Sequence, residues 1–467
     1  MNRSQLTFAR NNSLEFGNNN MSLAKNTCLS SIDLVWGMLF FLGFLFLPIN
    51  ELLGNEERRS DHVGFSKSVV YDGMRLQLSF NDYLDLGFSH ISVSSVDNPE
   101  QIPNRIKYLL WTGVASNDVG TKWSKEKTPY VGKELSEYKT RWKNRLSYYE
   151  RKYDNPRDTS RFGIIILDIE ARITDGKKMP ARPGFSARNR SATERVSDYK
   201  RAMADLYSVP LIFAKEQYRN YQSWSSYGDV PVIRTWWDIP KRTWEEWTTS
   251  PNVLNYLTHT ADNQKIRKTV FADNLDFYSV SAYYFYSPKY RLRNIVDQYL
   301  AYMLFQIEAN QSWSDKPIFL YHTFRYQGGI ERNTLIEEDM VRNSVLFAYL
   351  CGVDGMILYD DSKEPTNDPE YLHLFDTFTK TIAELSRFSD YFVGNDIQYF
   401  KPENPRDLFV KRKPIVRGIA KNGRLLLAAV NTFANEDEKT TIPVYYRGKL
   451  FYLDLIGKKA TLKEFIL

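Results

Sequence analysis

Beyond residue 60 the chain alternates short apolar runs with longer stretches of helical period. The runs are YLLWTGVA (108–115), FGIIILDIEA (162–171), VPLIFA (209–214), FYSVSAYYF (277–285), PIFLYHTF (317–324) and GMILYD (355–360). Between them, Leu135–Lys152, Ser197–Tyr207, Leu292–Ala309 and Glu337–Leu350 carry the pattern of amphipathic helices. Strands buried on both faces read as continuous apolar runs, and strands alternating with helices imply a parallel sheet. Polar and aromatic residues gather at the C-terminal ends of the runs, where barrel enzymes keep their chemistry. The pattern therefore predicts an α/β fold, a (β/α)8 barrel of the TIM type over residues 55–395. Fewer than eight strands stand out, so closure is inferred, and Met74–Phe80 and His90–Val96 read as strands without an assigned place.

After Asn395 the texture changes. IVRGIA, RLLLAAVNTF, TTIPVYY and KLFYLDLI are short strands separated by turns at Lys421–Arg424, Ala434–Glu438 and Arg447–Gly448, with no long helical stretch. Residues 396–467 are expected to form a small antiparallel β domain, a separate module packed on the barrel and free of catalytic residues. Before the barrel, residues 1–54 form a leader in which Leu34–Ile49 carries no charge. That run lies between the ~7–15 residues of a signal peptide and the ~20 of a spanning helix. A cleaved signal or a short membrane anchor is expected, with the rest of the chain exported: secreted, periplasmic or membrane-anchored.

Composition narrows the function classes. The chain has 467 residues, 43% of them hydrophobic and 25% charged, which suits a large buried core. Cys28 and Cys351 are the two cysteines and the five histidines lack ligand spacing, so neither a disulfide framework nor a zinc site is expected. No phosphate-binding or dinucleotide motif occurs, and no cofactor is expected. The net charge of +6 belongs to the C-terminal segment, since residues 401–467 carry +7 and the remainder −1. Such an excess attracts polyanions, though lysines spread among strands also suit a plain solvated surface. No nucleic-acid partner is expected, and membrane contact only through the N-terminal segment.

The candidate chemistry centres on Arg161–Glu170. Apolar residues enclose Asp168, and Glu170 follows two positions later, so on a strand the two carboxyls share a face. Paired acids at the end of a buried strand push one pKa up, as a general acid requires. Sugar rings offer flat apolar faces, which makes the cluster Trp224, Trp236, Trp237, Trp244 and Trp247 suggestive, with Trp236-Trp237-Asp238 following the strand-like Val230–Thr235. His322, Arg325 and Tyr326 end another run, where a cation could meet a uronate or sulfate, or Arg325 could close an ion pair.

The run to Glu170 resembles the catalytic strand of the chitinase superfamily, D-G-x-D-x-D-x-E, and more closely the hyaluronidase form, which keeps the final D-x-E. Gly163 and Ile166 stand at the earlier acid positions. Asp276–Tyr286 is similar to the chitinase strand D-F-x-N-V-M-x-Y-D-F, with Tyr283 at its tyrosine and Tyr284 in place of its aspartate. Gly352–Asp360, at the end of a helix from Glu338, resembles the hyaluronidase G-x-x-G-x-x-x-W-G, with Tyr359 for the tryptophan. With Pro317–Tyr326 the resemblance covers roughly residues 105–362. It implies a retaining glycoside hydrolase acting on N-acetylhexosamine-containing polysaccharide, whose own acetamido group attacks the anomeric carbon. Glu170 would be acid and base, Asp168 would orient the acetamido nitrogen, and Tyr283 would bond its oxygen. Trp236, Trp237, Asp238, Tyr284, Tyr286, His322, Arg325, Tyr326, Tyr359 and Asp360 are the expected glycan contacts. The substitutions at 284 and 359 and the missing cysteine framework point to a distant, bacterial relative. Two other readings stay open: a conventional glycosidase pairing Glu170 with Asp360 or Asp361, and a non-catalytic glycan-binding or structural protein.

Overall fold

The computed structural model divides the chain into two units, Met1–Glu51 and Leu52–Leu467. The structure describes residues 65–73, 78–92, 107–112, 133–153, 162–169, 191–217, 223–233, 236–262, 265–287, 294–328, 332–360 and 367–467. The first unit, the expected leader and its apolar run lie outside the described residues. Among the described residues no helix is long and apolar enough to cross a membrane.

Eight parallel strands form one sheet: β1 (Ser68–Asp72), β2 (His90–Ser92), β3 (Lys107–Thr112), β4 (Phe162–Leu167), β5 (Ser223–Ser226), β8 (Tyr278–Ser281), β9 (Ile318–His322) and β10 (Gly355–Tyr359). A small hairpin, β6 (His259–Asp262) and β7 (Lys265–Lys268), interrupts the series. The spatial order β5-β4-β3-β2-β1-β10-β9-β8 leaves β5 and β8 at the ends, and these ends face each other. Tyr227 bridges Ser279 in parallel, Asp276 N donates to Trp224 O at 2.8 Å, and Ser279 Oγ donates to Ser226 O at 2.8 Å.

Period-two alternation sorts each strand's side chains. Val70, Ile164, Ile166, Phe277, Phe319, Tyr321 and Ile357 join one cluster on the inner face. Tyr71, Ile165, Leu167, Val280, Leu320 and Leu358 face outward into the larger core beneath the helices. Two glycines make room for this arrangement. A Cβ on Gly355 would lie 2.0 Å from the Phe319 ring, and one on Gly163 2.4 Å from His90 Nε2.

Two expectations from the pattern fail. VPLIFA belongs to the helix Ala192–Gln217, which carries Pro210 inside it and buries Met203, Leu206, Tyr207, Leu211 and Ala214 on one face. Val230–Thr235 is not the strand here: the described part, up to Ile233, is coil, and the strand is the preceding Ser-Trp-Ser-Ser. Its hydroxyls replace apolar bulk with hydrogen bonds, Ser225 Oγ donating to Phe277 O at 2.9 Å and Ser226 Oγ to Leu167 O at 3.2 Å. His90–Val96 holds the short β2, with residues 93–96 outside the described residues, whereas Phe80 opens the helix Phe80–Asp85, and residues 74–77 are outside the described residues.

The C-terminal antiparallel domain is present. β11 (Gln398–Phe400), β12 (Ile415–Lys421), β13 (Arg424–Val430) and β16 (Thr461–Ile466) form one sheet, and β14 (Lys439–Tyr446) pairs with β15 (Lys449–Ile456). A helix unforeseen in the sequence, Pro405–Lys411, enters it behind the N-cap of Asn404, whose side chain accepts from Asp407 N at 2.9 Å. One face of this sheet shares the main core: Ile415, Ile419, Leu426, Ala428 and Val430 cluster with the helices Tyr299–Gln311 and Glu338–Leu350. The sheet therefore packs one face into the core of the rest of the unit, while Val416, Leu425, Leu427 and Ala429 on its other face form a cluster with Val444, Leu453 and Leu455 of the β14–β15 pair.

Candidate active site

Where β1, β4, β5, β8, β9 and β10 end, the inner face turns polar. Asp72 closes β1, Asp168 follows β4, Tyr227 follows β5, Tyr283 lies two residues past β8, Tyr321 lies in β9 and Tyr359 closes β10. The aromatic rings form a connected group. Tyr227 and Tyr321 meet edge to face at 5.1 Å between centroids, Tyr283 stacks on Tyr359 at 6.2 Å, and Tyr321 approaches Tyr359 at 6.3 Å. Hydroxyls link part of it: Tyr227 bonds Tyr283 and lies 3.2 Å from Ser281 Oγ.

Electrostatics follow from burial. Burial first, and then the Tyr227 hydroxyl, push Tyr283 well above the ordinary phenol range. Burial pushes Tyr321 up, followed by the fields of Asp72, Tyr227 and Asp168, which places both carboxyls within electrostatic reach of its ring. These phenols keep their protons and act as donors. Asp72 is raised to about 6 by desolvation, against a hydrogen bond from Ser92 that lowers it. Asp168 is buried, with 4% of its surface exposed.

The structure thus gathers Tyr283 and Tyr359 around Tyr321, which also feels the field of Asp168, and Glu170 and Asp361 lie outside the described residues. Several expected contacts fall on the other face. Asp360 is next to the inward Tyr359 and so points outward, where Arg325 Nε donates to its Oδ2 at 3.2 Å, and its field acts on the outer-layer residues Tyr71 and Tyr371. Arg325 also donates to Asn333 O at 2.8 Å, so it closes a structural ion pair. His322 sits between Phe324 and Phe378 beneath the helices, and burial lowers it to about 3. Tyr284 bonds Ser344 at 3.1 Å and Tyr326 donates to Met340 Sδ at 3.4 Å, each on the helix Glu338–Leu350. Trp236 packs on Tyr299, Tyr302 and Phe409, and Tyr286 rests against the same core. These residues are packing elements of the outer layer. Trp237 is 52% exposed and Asp238 pairs with Lys241 at 2.7 Å.

Sequence reasoning missed Asp72, Ser92, Tyr227 and Tyr321. A signal existed for the first: Val69-Val70-Tyr71-Asp72 has the same form as Ile164–Asp168 and Gly355–Asp360, an apolar run ended by an acid, only shorter. Gly163 has a local cause, since the His90 ring fills the space that an acid at that position would need.

No protein-family model and no curated protein matches the chain. Among solved structures, bee venom hyaluronidase is similar at 11% identity and a TM-score of 0.39, covering 68% of this chain and 99% of that one. Its complex with a hyaluronic acid tetramer matches at 10% identity and a TM-score of 0.37, over 63% of this chain and 91% of that one. A noncanonic maltogenic alpha-amylase from Thermotoga neapolitana matches at 10% identity and a TM-score of 0.43, over 87% and 100% respectively. At these scores the likeness carries no inference about activity.

Proposed function

We propose that the protein is a glycoside hydrolase on a closed (β/α)8 barrel, exported from the cell, acting on N-acetylhexosamine-containing polysaccharide with retention of configuration. The observation that carries this reading is the convergence of Asp168 and Tyr283 on one inner face, at the strand ends where a parallel barrel holds substrate. In this reading the acetamido group of the bound sugar attacks its own anomeric carbon and the glycosidic bond breaks. Asp168 accepts from the acetamido N–H and favours the charge that develops there. Tyr283, buried and protonated, donates to the acetamido oxygen, and Tyr359 stacks beside it as part of the wall. Glu170, two residues beyond Asp168, gives its proton to the leaving oxygen and then takes one from the attacking water.

Pairing Glu170 with Asp360 across the mouth is disfavoured by the outward course of Asp360 and its bond to Arg325. The reading is tested with Asp168→Asn and Tyr283→Phe on paired oligosaccharides that differ in carrying a 2-acetamido or a 2-hydroxyl group. Both variants are expected to lose about 10²-fold or more in kcat/KM on the acetamido substrates, at the low end of what one positioned group contributes. Equal losses on both substrates would point to a different mechanism, and binding without any release of reducing ends to a glycan-binding protein.

A further inference from the structure

Asp72 belongs to the site by position and has no role in the mechanism above. It ends β1 two residues after Val70, a member of the inner cluster, and its register partner is Tyr359, which packs against that cluster. The residue is 6% exposed. Its backbone oxygen accepts from Asp360 N at 3.0 Å, which fixes the strand end, and Ser92 bonds its carboxyl. Oδ2 is buried and meets no hydrogen-bond partner. A buried oxygen without a partner costs free energy unless something else satisfies it. Here the neighbouring polar groups are those that would surround a sugar.

We propose that Asp72 is a substrate-binding residue of this site, its carboxyl donating a hydrogen bond through Oδ2 to an oxygen of the sugar ring held beside Tyr321 and Tyr359. This rests on the glycan reading above. A donor carboxyl must hold a proton, and the surroundings favour that form. The groups facing it are Ser92 on β2, Tyr321 on β9, Tyr359 on β10 and, farther across the mouth, Asp168 after β4. None of these is a cation; one inward-facing position before Ser92, His90 is pushed down to about 4 by burial and then by the charge of its register partner Lys107 on β3. Among the described residues, the guanidinium of Arg325 is engaged by Asp360 on the opposite face. Desolvation accordingly keeps Asp72 protonated up to about pH 6. A neutral carboxyl offers one donor and one acceptor and suits a hydroxyl or an amide oxygen. It would repel a carboxylate placed there once it ionises.

The test measures binding of chitotetraose and of a hyaluronan tetrasaccharide by calorimetry from pH 5 to pH 8, in full-length protein carrying Glu170→Gln so that bound sugar is not turned over. With Asp72 intact, affinity is expected to fall at least about tenfold across that range, since each pH unit above a pKa removes tenfold of the protonated form. Asp72→Asn keeps the shape and a donor and cannot ionise, so its affinity should match the parent at pH 5 and stay within about twofold to pH 8. Ser92→Ala removes the bond that favours the carboxylate and should move the midpoint to higher pH. An unchanged fall in Asp72→Asn, or an unmoved midpoint in Ser92→Ala, would overturn the role of Asp72 alone. Failure of both sugars to bind the parent at any pH would overturn the glycan reading and this proposal together.

Discussion

At the end of β9, Tyr321 and His322 are neighbours in sequence and occupy opposite faces of the sheet. Tyr321 faces the carboxyls of the mouth, whereas His322 lies among Phe324 and Phe378 with its Nε2 buried and unbonded. The unfolded chain takes up a proton at this histidine as pH falls through about 6.5, while the folded protein resists until about 3. Stability from this group is therefore complete above about pH 6.5 and drains as pH falls toward 3. His90 and His259, each lowered to about 4, act in the same direction. Asp72, raised to about 6, acts in the opposite one, contributing fully below about pH 4 and losing its contribution as pH rises to 6. His322→Phe, which fits the aromatic setting and removes an unbonded polar atom, should flatten the acid-side loss of stability between pH 6.5 and 4 in denaturant melts. An unchanged slope would mean that His322 is hydrated and titrates freely. At this scale the sequence was legible where period-two alternation turns a residue to the inner face, as it does for Asp168, Tyr283 and Tyr359. It misled where a polar residue at a strand end was assumed to face the mouth. The period of two puts Tyr284, His322 and Asp360 on the far side.

The strands were readable when their residues were bulky and apolar on both faces, as in β4, β9 and β10, and hidden when the interior needed small side chains. Ser-Trp-Ser-Ser in β5 places Ser225 between strands where a hydroxyl bonded to Phe277 O fits. VPLIFA has the composition of a strand and the contacts of a helix, since tertiary packing outweighs local propensity. The turn at Asn422-Gly423 was legible because both residues take positive φ, 49° and 73°, a conformation that glycine and asparagine tolerate best. Gly355 shows the reverse dependence of an element on one absent side chain. It starts β10 opposite Phe319, whose ring packs on Phe277 at 4.5 Å within the inner cluster. Gly355→Ala should cost about 1–3 kcal/mol by overpacking, measured by chemical denaturation, and Phe319→Leu in the same chain should recover part of it. A loss unaffected by Phe319→Leu would place the strain elsewhere.

For the whole second unit, the C-terminal sheet was visible in the sequence as a change of texture, but its dependence on the helices was not. Arg417 on β12 is fully buried and its Nε donates to Glu308 at 2.7 Å, on a helix whose Tyr299–Asn310 stretch is buried throughout. Cys351 at the end of the next helix donates to the same carboxylate at 3.3 Å. No local pattern marks a lone arginine in a β run as the partner of a glutamate 109 positions away. Arg417→Ala strands a buried carboxylate and should destabilise the fold by about 3–5 kcal/mol, while Arg417→Met with Glu308→Leu should recover most of that. Denaturation followed by both far-ultraviolet and tryptophan signals is expected to stay a single transition, and two separate transitions would instead make the sheet an independent module. The most direct test of the proposed activity is reducing-end release from hyaluronan and chitin oligosaccharides by the wild type and by Glu170→Gln. The wild type should release product, and the variant should fall by about 10²–10⁴-fold while still binding. No release by the wild type, or a fully active Glu170→Gln beside an inactive Asp360→Asn or Asp361→Asn, would contradict it.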